Sequence, residues 1–118
     1  MLVENVRVEK PWGHEIIWAH CNKFIGKLLT IKNGMRLSRQ YHVVKEETIL
    51  VLSGVLSLEL GQKENTTRLI LNEGESFHIS PNTIHRFCAE EGDVLLAEVS
   101  TPELEDVTRI EDDYQRAD

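Results

Sequence analysis

Turn-forming residues divide this chain into short segments, and their spacing constrains the fold more than any other feature. Asn33-Gly34, Ser53-Gly54 and Asn72-Glu73-Gly74 each combine residue types that favour tight turns. Such turns recur about every 8–12 residues, and the segments between them often alternate apolar and polar side chains, as half-buried strands do. No segment of helical period is long enough to connect two parallel strands. The spacing therefore predicts an all-β domain, either a sandwich or a closed barrel.

The predicted strands cover most of the chain. They occupy residues 2–8, 15–19, 23–32, 35–42, 48–52, 55–60, 66–71, 76–79, 84–89 and 94–100. Residues 61–65 form a polar hairpin tip, and only residues 102–114 have a composition compatible with a short helical turn. We interpret residues 1–118 as one jelly-roll barrel, since a chain of this length forms a single domain with a core of ordinary size.

Composition restricts the partners. A net charge of −7 and a pI near 5.2 argue against nucleic acid or an anionic membrane surface as a general partner. A phosphorylated small molecule is still possible if a few cations converge locally. Cys21 and Cys88 fit neither a zinc finger nor a disulfide framework, so we expect free, buried thiols. Without a signal peptide or a membrane-spanning run, we expect a cytoplasmic protein.

Gln40, His42 and Glu47 lie close together between Gly34 and Gly54. Gln40 and His42 are two residues apart, so they project from the same face of a strand. A bend through residues 43–46 would bring Glu47 back beside His42, and His85 would supply a fourth group. These ligand types suit a divalent transition metal. The alternative is that they are solvated polar residues on an open sheet face.

The spacing of these residues resembles the two cupin motifs. The first runs from Gly34 through Gln40-x-His42 and Glu47 to Gly54, with Gln in place of the usual first His. The second runs from Gly74 through Ser80-Pro81-Asn82 to His85. Cupins are double-stranded β-helix barrels that hold a metal ion at the mouth, so the resemblance implies that fold here.

Further segments resemble one cupin branch, the type II mannose-6-phosphate isomerases, which also form the C-terminal part of bifunctional mannose-1-phosphate guanylyltransferases. The matching segments are Pro11-Trp12-Gly13, Lys27, Leu37-Ser38-x-Gln40-x-His42, Gly74-Glu75-Ser76, His85-Arg86 and the stretch from Asp106 to Arg116. There are departures, because Val43, Val44 and Lys45 replace a His-His-Arg run. No nucleotidyltransferase domain precedes the barrel, so we expect no guanylyl transfer.

The resemblance implies a metal-dependent isomerase that interconverts mannose 6-phosphate and fructose 6-phosphate through a metal-stabilised enediol. It implies Gln40, His42, Glu47 and His85 as ligands of one divalent ion, with Zn or Mn expected and Ni, Co or Fe as alternatives. A non-catalytic metal- or sugar-binding cupin module is the alternative function, and the lost His-His-Arg run favours it. An iron dioxygenase fits Gln40 less well, because such enzymes use two His and one carboxylate.

Four residues are candidates for contact with the substrate. Arg36 shares strand parity with Ser38 and Gln40, so we expect Arg36 and Ser38 to face the sugar phosphate, unless Arg36 is an exposed rim charge. Lys27 and Arg109 are the catalytic candidates. For Arg109, a pinned terminal turn is the alternative role.

Some roles stay open at the sequence level. The general base could be Glu15, His78 or Lys27. Arg86 should point away from His85 into a surface salt bridge. Edge strands at both ends of the chain suggest a homodimer formed by strand pairing or exchange.

Overall fold

The computed structural model describes residues 1–116, and most of them lie in eleven strands. The strands are β1 (Val6–Lys10), β2 (Gly13–His20), β3 (Ile25–Ile31), β4 (Arg39–Tyr41), β5 (Glu47–Ser53), β6 (Leu56–Leu60), β7 (Thr67–Leu71), β8 (Ser76–Ile79), β9 (His85–Cys88), β10 (Val94–Ser100) and β11 (Thr108–Glu111). A 3-10 turn at Lys63–Asn65 forms the tip of the β6–β7 hairpin, where the sequence predicted a polar connection.

The strands form two antiparallel sheets that face each other. The first sheet has the order β1-β2-β3-β10-β5-β8, and the second has the order β11-β4-β9-β6-β7. Neighbouring strands such as β3 and β10 are distant in sequence, because the chain crosses repeatedly between the sheets. This architecture confirms the predicted all-β cupin jelly roll.

The hydrophobic core fills the space between the sheets, and strand alternation explains its composition. On the first sheet, Leu29 of β3, Leu96 of β10 and Val51 of β5 are register partners and are all buried. Leu58 and Phe87 face them from the second sheet and are also register partners. At one end of the strands the inward positions become polar, and this polar end forms the cavity described below.

One turn shows why glycine is needed at the sheet corners. Gly54 follows β5 with a φ of 87°, in the left-handed region that side chains disfavour. A Cβ atom at this position would lie 2.4 Å from the backbone oxygen of Asp93. The chain therefore turns here only because the residue has no side chain.

The C-terminal segment differs from the sequence prediction. Residues 102–114 do not form a helical turn; they contain β11, which pairs with β4 at the edge of the second sheet. Arg39 holds this strand, because its Nε donates to Glu111 at 2.6 Å. Two ion pairs made by Asp113, with Arg36 and Arg86, fix the residues that follow.

Two further expectations need correction. Arg86 does point away from His85, but it is only 2% exposed and donates to the carbonyl of Leu37 as well as to Asp113, so it is not a surface salt bridge. Both cysteines are free as predicted, but only Cys88 is buried, because Cys21 lies in an exposed turn after β2. No helix among residues 1–116 is long and apolar enough to span a membrane.

Candidate active site

Three strand ends bring His42, Glu47 and His85 together between the sheets. His42 directly follows β4, Glu47 begins β5 and His85 begins β9. The ligand atoms of these three residues all lie within 4.8 Å of one another, and all three side chains are buried. The bend inferred from the odd spacing between His42 and Glu47 is present, at residues 43–46.

Both histidines are oriented to offer Nε2 to a cation. Nδ1 of His42 lies 2.5 Å from the carbonyl oxygen of Asp106, and Nδ1 of His85 lies 2.8 Å from that of Thr83. Each Nδ1 therefore carries the proton, which leaves the Nε2 lone pair directed at Glu47, 3.7 Å away for His42 and 3.6 Å for His85. Buried Nε2 of His42 has no hydrogen-bond partner among residues 1–116.

Burial keeps both imidazoles neutral. It lowers the pKa of His42, and the nearby Lys45 ammonium lowers it further. Burial also lowers the pKa of His85 to about 4. Neutral imidazole is the form that binds metals, so the protonation state, the orientation and the buried lone pair of His42 all fit a divalent ion at this position.

Asp106 holds the bend that separates His42 from Glu47. Its carboxylate accepts hydrogen bonds from the backbone N–H groups of Val43, Val44 and Lys45, at 3.0, 2.7 and 2.8 Å. These bonds lower the pKa of Asp106. The same residue thus fixes the loop with its side chain and the His42 ring with its carbonyl.

Gln40 lines the same cavity as the three buried ligands, beside its register partner His85. Its Nε2 donates to the hydroxyl of fully buried Ser38 at 2.7 Å. The amide oxygen is then the atom left for a cation. Ser38 therefore orients Gln40, in addition to lining the cavity where a substrate would lie.

Alternating charges line the cavity wall formed by the first sheet. Lys27 lies 3.3 Å from Glu15, and Lys45 lies 3.1 Å from Glu47 and 3.5 Å from Glu98. Burial raises the pKa of the Glu98 carboxyl. Burial opposes the charge of Lys45, but the Glu98 and Glu47 carboxylates outweigh it and raise the pKa of its ammonium. The wall thus offers both positive and negative groups to a polar ligand.

The remaining predicted site residues divide between the cavity and the surface. Lys27 and Arg109 both line the cavity, Lys27 from β3 and Arg109 from β11. Arg36 does not line it, so its predicted inward orientation is wrong. The Arg36 guanidinium instead makes two hydrogen bonds to Asp113, at 2.7 and 3.0 Å. Strand parity does not apply to Arg36, because residues 36–38 form no regular strand and Arg36 makes only an isolated bridge to Cys88.

Sequence reasoning did not identify Lys45 and Glu98 as cavity residues. Lys45 lies in an irregular bend, where strand parity gives no direction for a side chain. Glu98, however, continues the inward positions Val94 and Leu96 of β10, so a carboxylate at an inward position was a usable signal. Lys45 stands where the resembling family has Arg, so a cation is kept beside the ligands, while Val43 and Val44 are exposed.

Comparisons with known proteins agree with this geometry. The family model described as "Mannose-6-phosphate isomerase C-terminal" matches residues 2–116. A mannose-1-phosphate guanylyltransferase from Salmonella muenchen is 28% identical over 82 residues, which are 70% of this chain and 16% of that protein. The alginate biosynthesis protein AlgA from Pseudomonas aeruginosa is 32% identical over 114 residues, which are 92% of this chain and 23% of that protein.

The fold also occurs in a solved structure of low sequence identity. The capsular polysaccharide assembling protein CapF from Staphylococcus aureus matches with a TM-score of 0.78 at 14% identity, over 92% of this chain and 34% of CapF. The chain spans less than a quarter of the length of the two curated relatives. Because the family model covers nearly the whole chain, the protein belongs to the mannose-6-phosphate isomerase C-terminal family.

Proposed function

We propose that this chain is a metal-dependent sugar-phosphate isomerase that interconverts mannose 6-phosphate and fructose 6-phosphate. The observation that carries the proposal is the meeting of His42, Glu47 and His85 within 4.8 Å, at one end of a cavity lined by buried lysines and glutamates. The family match supports the choice of substrate.

His42, Glu47 and His85 would hold the ion, with Gln40 as a fourth ligand, and Zn or Mn suits this mixture of imidazole and oxygen. When bound, a divalent cation polarises the carbonyl and hydroxyl oxygens of the sugar and favours charge on them. Lys27 and Lys45 present their ammonium groups to the sugar oxygens. Both residues are buried, which limits the access of water to these groups.

The phosphate needs a cation other than Arg36. Lys10, Arg109 and Arg116 line the cavity and are partly exposed, so they lie nearer its opening than the buried Lys27 and Lys45. We assign the phosphate to this end, where a guanidinium can bind two of its oxygens. Arg109 is the main candidate, since β11 places it in register with Gln40.

The first test is a coupled assay for fructose 6-phosphate on protein reconstituted with Zn or Mn. We expect turnover that requires the metal, with about one ion per chain by elemental analysis. His85→Ala should lose both the ion and the turnover. His78→Ala is the matched control, because His78 is half exposed and pairs with Glu46 outside the cavity.

A non-catalytic binding module is the second candidate function. The exposed Val43 and Val44 in place of the family's two histidines favour it. Stoichiometric metal and binding of mannose 6-phosphate, without turnover under any divalent metal supplied, would establish the module and contradict the isomerase. Equal affinity for mannose and mannose 6-phosphate would remove the phosphate anchor.

A further inference from the structure

Glu98 is a buried carboxylate in the cavity that the proposed metal site does not use. It lies in the middle of β10, where its register partners are Lys27 of β3 and Ile49 of β5. Glu98 is only 4% exposed, yet it lines the same cavity as His42 and Glu47. A charged group at such a position costs free energy unless it is paired with an opposite charge or hydrogen-bonded.

The contacts of Glu98 place it close to the proposed metal without making it a ligand. Lys45 lies between the two carboxylates, 3.5 Å from Oε2 of Glu98 and 3.1 Å from Oε2 of Glu47. Glu98 is not part of the set of residues whose ligand atoms lie within 4.8 Å of one another. The Lys45 ammonium is therefore the group that separates the Glu98 carboxylate from the proposed metal ligand Glu47.

The other candidates for a proton-transfer base are engaged elsewhere. Glu15 and Lys27 are paired with each other, since the Lys27 ammonium donates a hydrogen bond to the Glu15 carboxylate at 3.3 Å. His78 lies outside the cavity, between the Thr48 hydroxyl at 2.7 Å and the Glu46 carboxylate at 2.5 Å. Both cavity histidines bind backbone carbonyls through Nδ1 and would give Nε2 to the metal.

We propose that Glu98 is the catalytic base that carries the proton between C1 and C2 of the sugar. This inference rests on the proposed isomerase function. The carboxylate takes the proton from C2 of mannose 6-phosphate, and the C–H electron pair forms the C1–C2 double bond while the carbonyl pair moves to O1. The hydroxyl proton passes from O2 to O1, and Glu98 returns its proton to C1. Atoms and electrons balance without a co-reactant.

The surroundings of Glu98 suit this role. Burial raises the pKa of its carboxyl, so the Glu98 carboxylate is a stronger base than an exposed glutamate and holds the accepted proton more firmly. Its 4% exposure also limits exchange of the transferred proton with water. The neighbouring ammonium groups of Lys27 and Lys45 face the oxygens on which negative charge develops.

The test compares Glu98→Gln with Glu98→Asp in the metal-loaded protein. We expect Glu98→Gln to keep its metal content and its Kd for fructose 6-phosphate within about threefold, while kcat falls about 100- to 10,000-fold, the usual contribution of a general base. Glu98→Asp keeps the carboxylate farther from the sugar and should recover part of the rate. Glu46→Gln, which changes an exposed carboxylate outside the cavity, should match the parent.

Isotope transfer gives a second readout. With mannose 6-phosphate deuterated at C2, we expect the parent to place part of the deuterium at C1 of the product and to exchange the rest with water. Complete transfer to C1 by both the parent and Glu98→Gln would indicate a hydride shift and overturn the inference. Turnover by Glu98→Gln at the parental rate would overturn it while leaving the isomerase proposal intact. A metal-loaded parent that neither turns over nor exchanges the C2 proton would overturn both.

Discussion

At the scale of single residues, the neutral histidines of the cavity make stability depend on pH. Burial lowers the pKa of folded His85 to about 4, whereas an unfolded histidine titrates near 6.5. Between these values the unfolded chain binds a proton that the folded chain does not. The contribution of neutral His85 to the free energy of unfolding is therefore fully present above about pH 6.5 and falls as the pH drops toward 4.

We expect metal-free protein to lose up to about 3 kcal/mol of its free energy of unfolding over this window through His85 alone, from a shift of roughly two and a half pKa units. Urea unfolding at pH 7, 5.5 and 4.5 measures the loss. His85→Gln should flatten the curve, because its side chain does not titrate. An unchanged slope in that variant would contradict the assignment of a depressed pKa to His85.

Asp106 supports a second prediction at this scale. Asp106→Asn keeps the shape of the side chain but replaces one of the two oxygens that accept the backbone N–H bonds with an NH2 donor, so the bend between His42 and Glu47 loses part of its support. We expect metal affinity to fall about 10- to 100-fold, the usual effect of losing a group that orients a ligand. Metal titration by calorimetry measures it. Glu105→Gln, one residue earlier, is the control and should bind metal as the parent does.

At the scale of elements, the sequence predicted most strands because turns and alternation are local signals. The strand predicted at residues 94–100 is β10 without a shift, and that predicted at 23–32 contains β3. The cupin spacing predicts that His42, Glu47 and His85 lie together, and in the structure their ligand atoms are within 4.8 Å of one another. These results follow from patterns that a few neighbouring residues encode.

The failures at this scale come from contacts between distant segments. The composition of residues 102–114 predicts a helical turn, whereas the observed β11 depends on pairing with β4, about 70 positions earlier, as in the Arg39–Glu111 contact. Asp113 of the same segment accepts hydrogen bonds from buried Arg86 and from Arg36, so the Arg36 guanidinium lies outside the predicted site. Side-chain parity cannot show which later segment will cover a sheet face.

The docking of the C-terminal segment can be tested through Asp113. Asp113→Ala would remove the carboxylate partner of Arg36 and of buried Arg86, so we expect a loss of roughly 1–3 kcal/mol, as for a charged hydrogen bond left unmade. Denaturant unfolding of metal-free protein measures it. Glu9→Ala breaks the exposed Arg7–Glu9 pair instead and should leave the free energy of unfolding almost unchanged, because water screens that pair. Equal effects of the two variants would contradict the structural role of Asp113.

At the scale of the whole molecule, the outer face of the first sheet carries a row of apolar side chains. Ile16, Leu28, Ala97 and Leu50 form one row of register partners across β2, β3, β10 and β5. Trp18, which packs over Gly26, and Val99 lie beside this row and are 43% and 52% exposed. Large exposed apolar patches mark interaction surfaces. We propose that this face, rather than the strand edges, joins two copies into the predicted homodimer.

A charge in the middle of this face should separate the dimer. Val99→Glu would place a carboxylate from each copy in a region without water, but it costs the monomer little, because Val99 is already half exposed. We expect light scattering after size exclusion to show a dimer for the parent and a monomer for this variant. Ile70 lies on β7 of the other sheet and is about as exposed as Val99, so the Ile70→Glu protein should remain dimeric. A Val99→Glu protein that is still dimeric would assign the contact to the strand edges instead, and a monomeric parent at micromolar concentration would contradict the dimer itself.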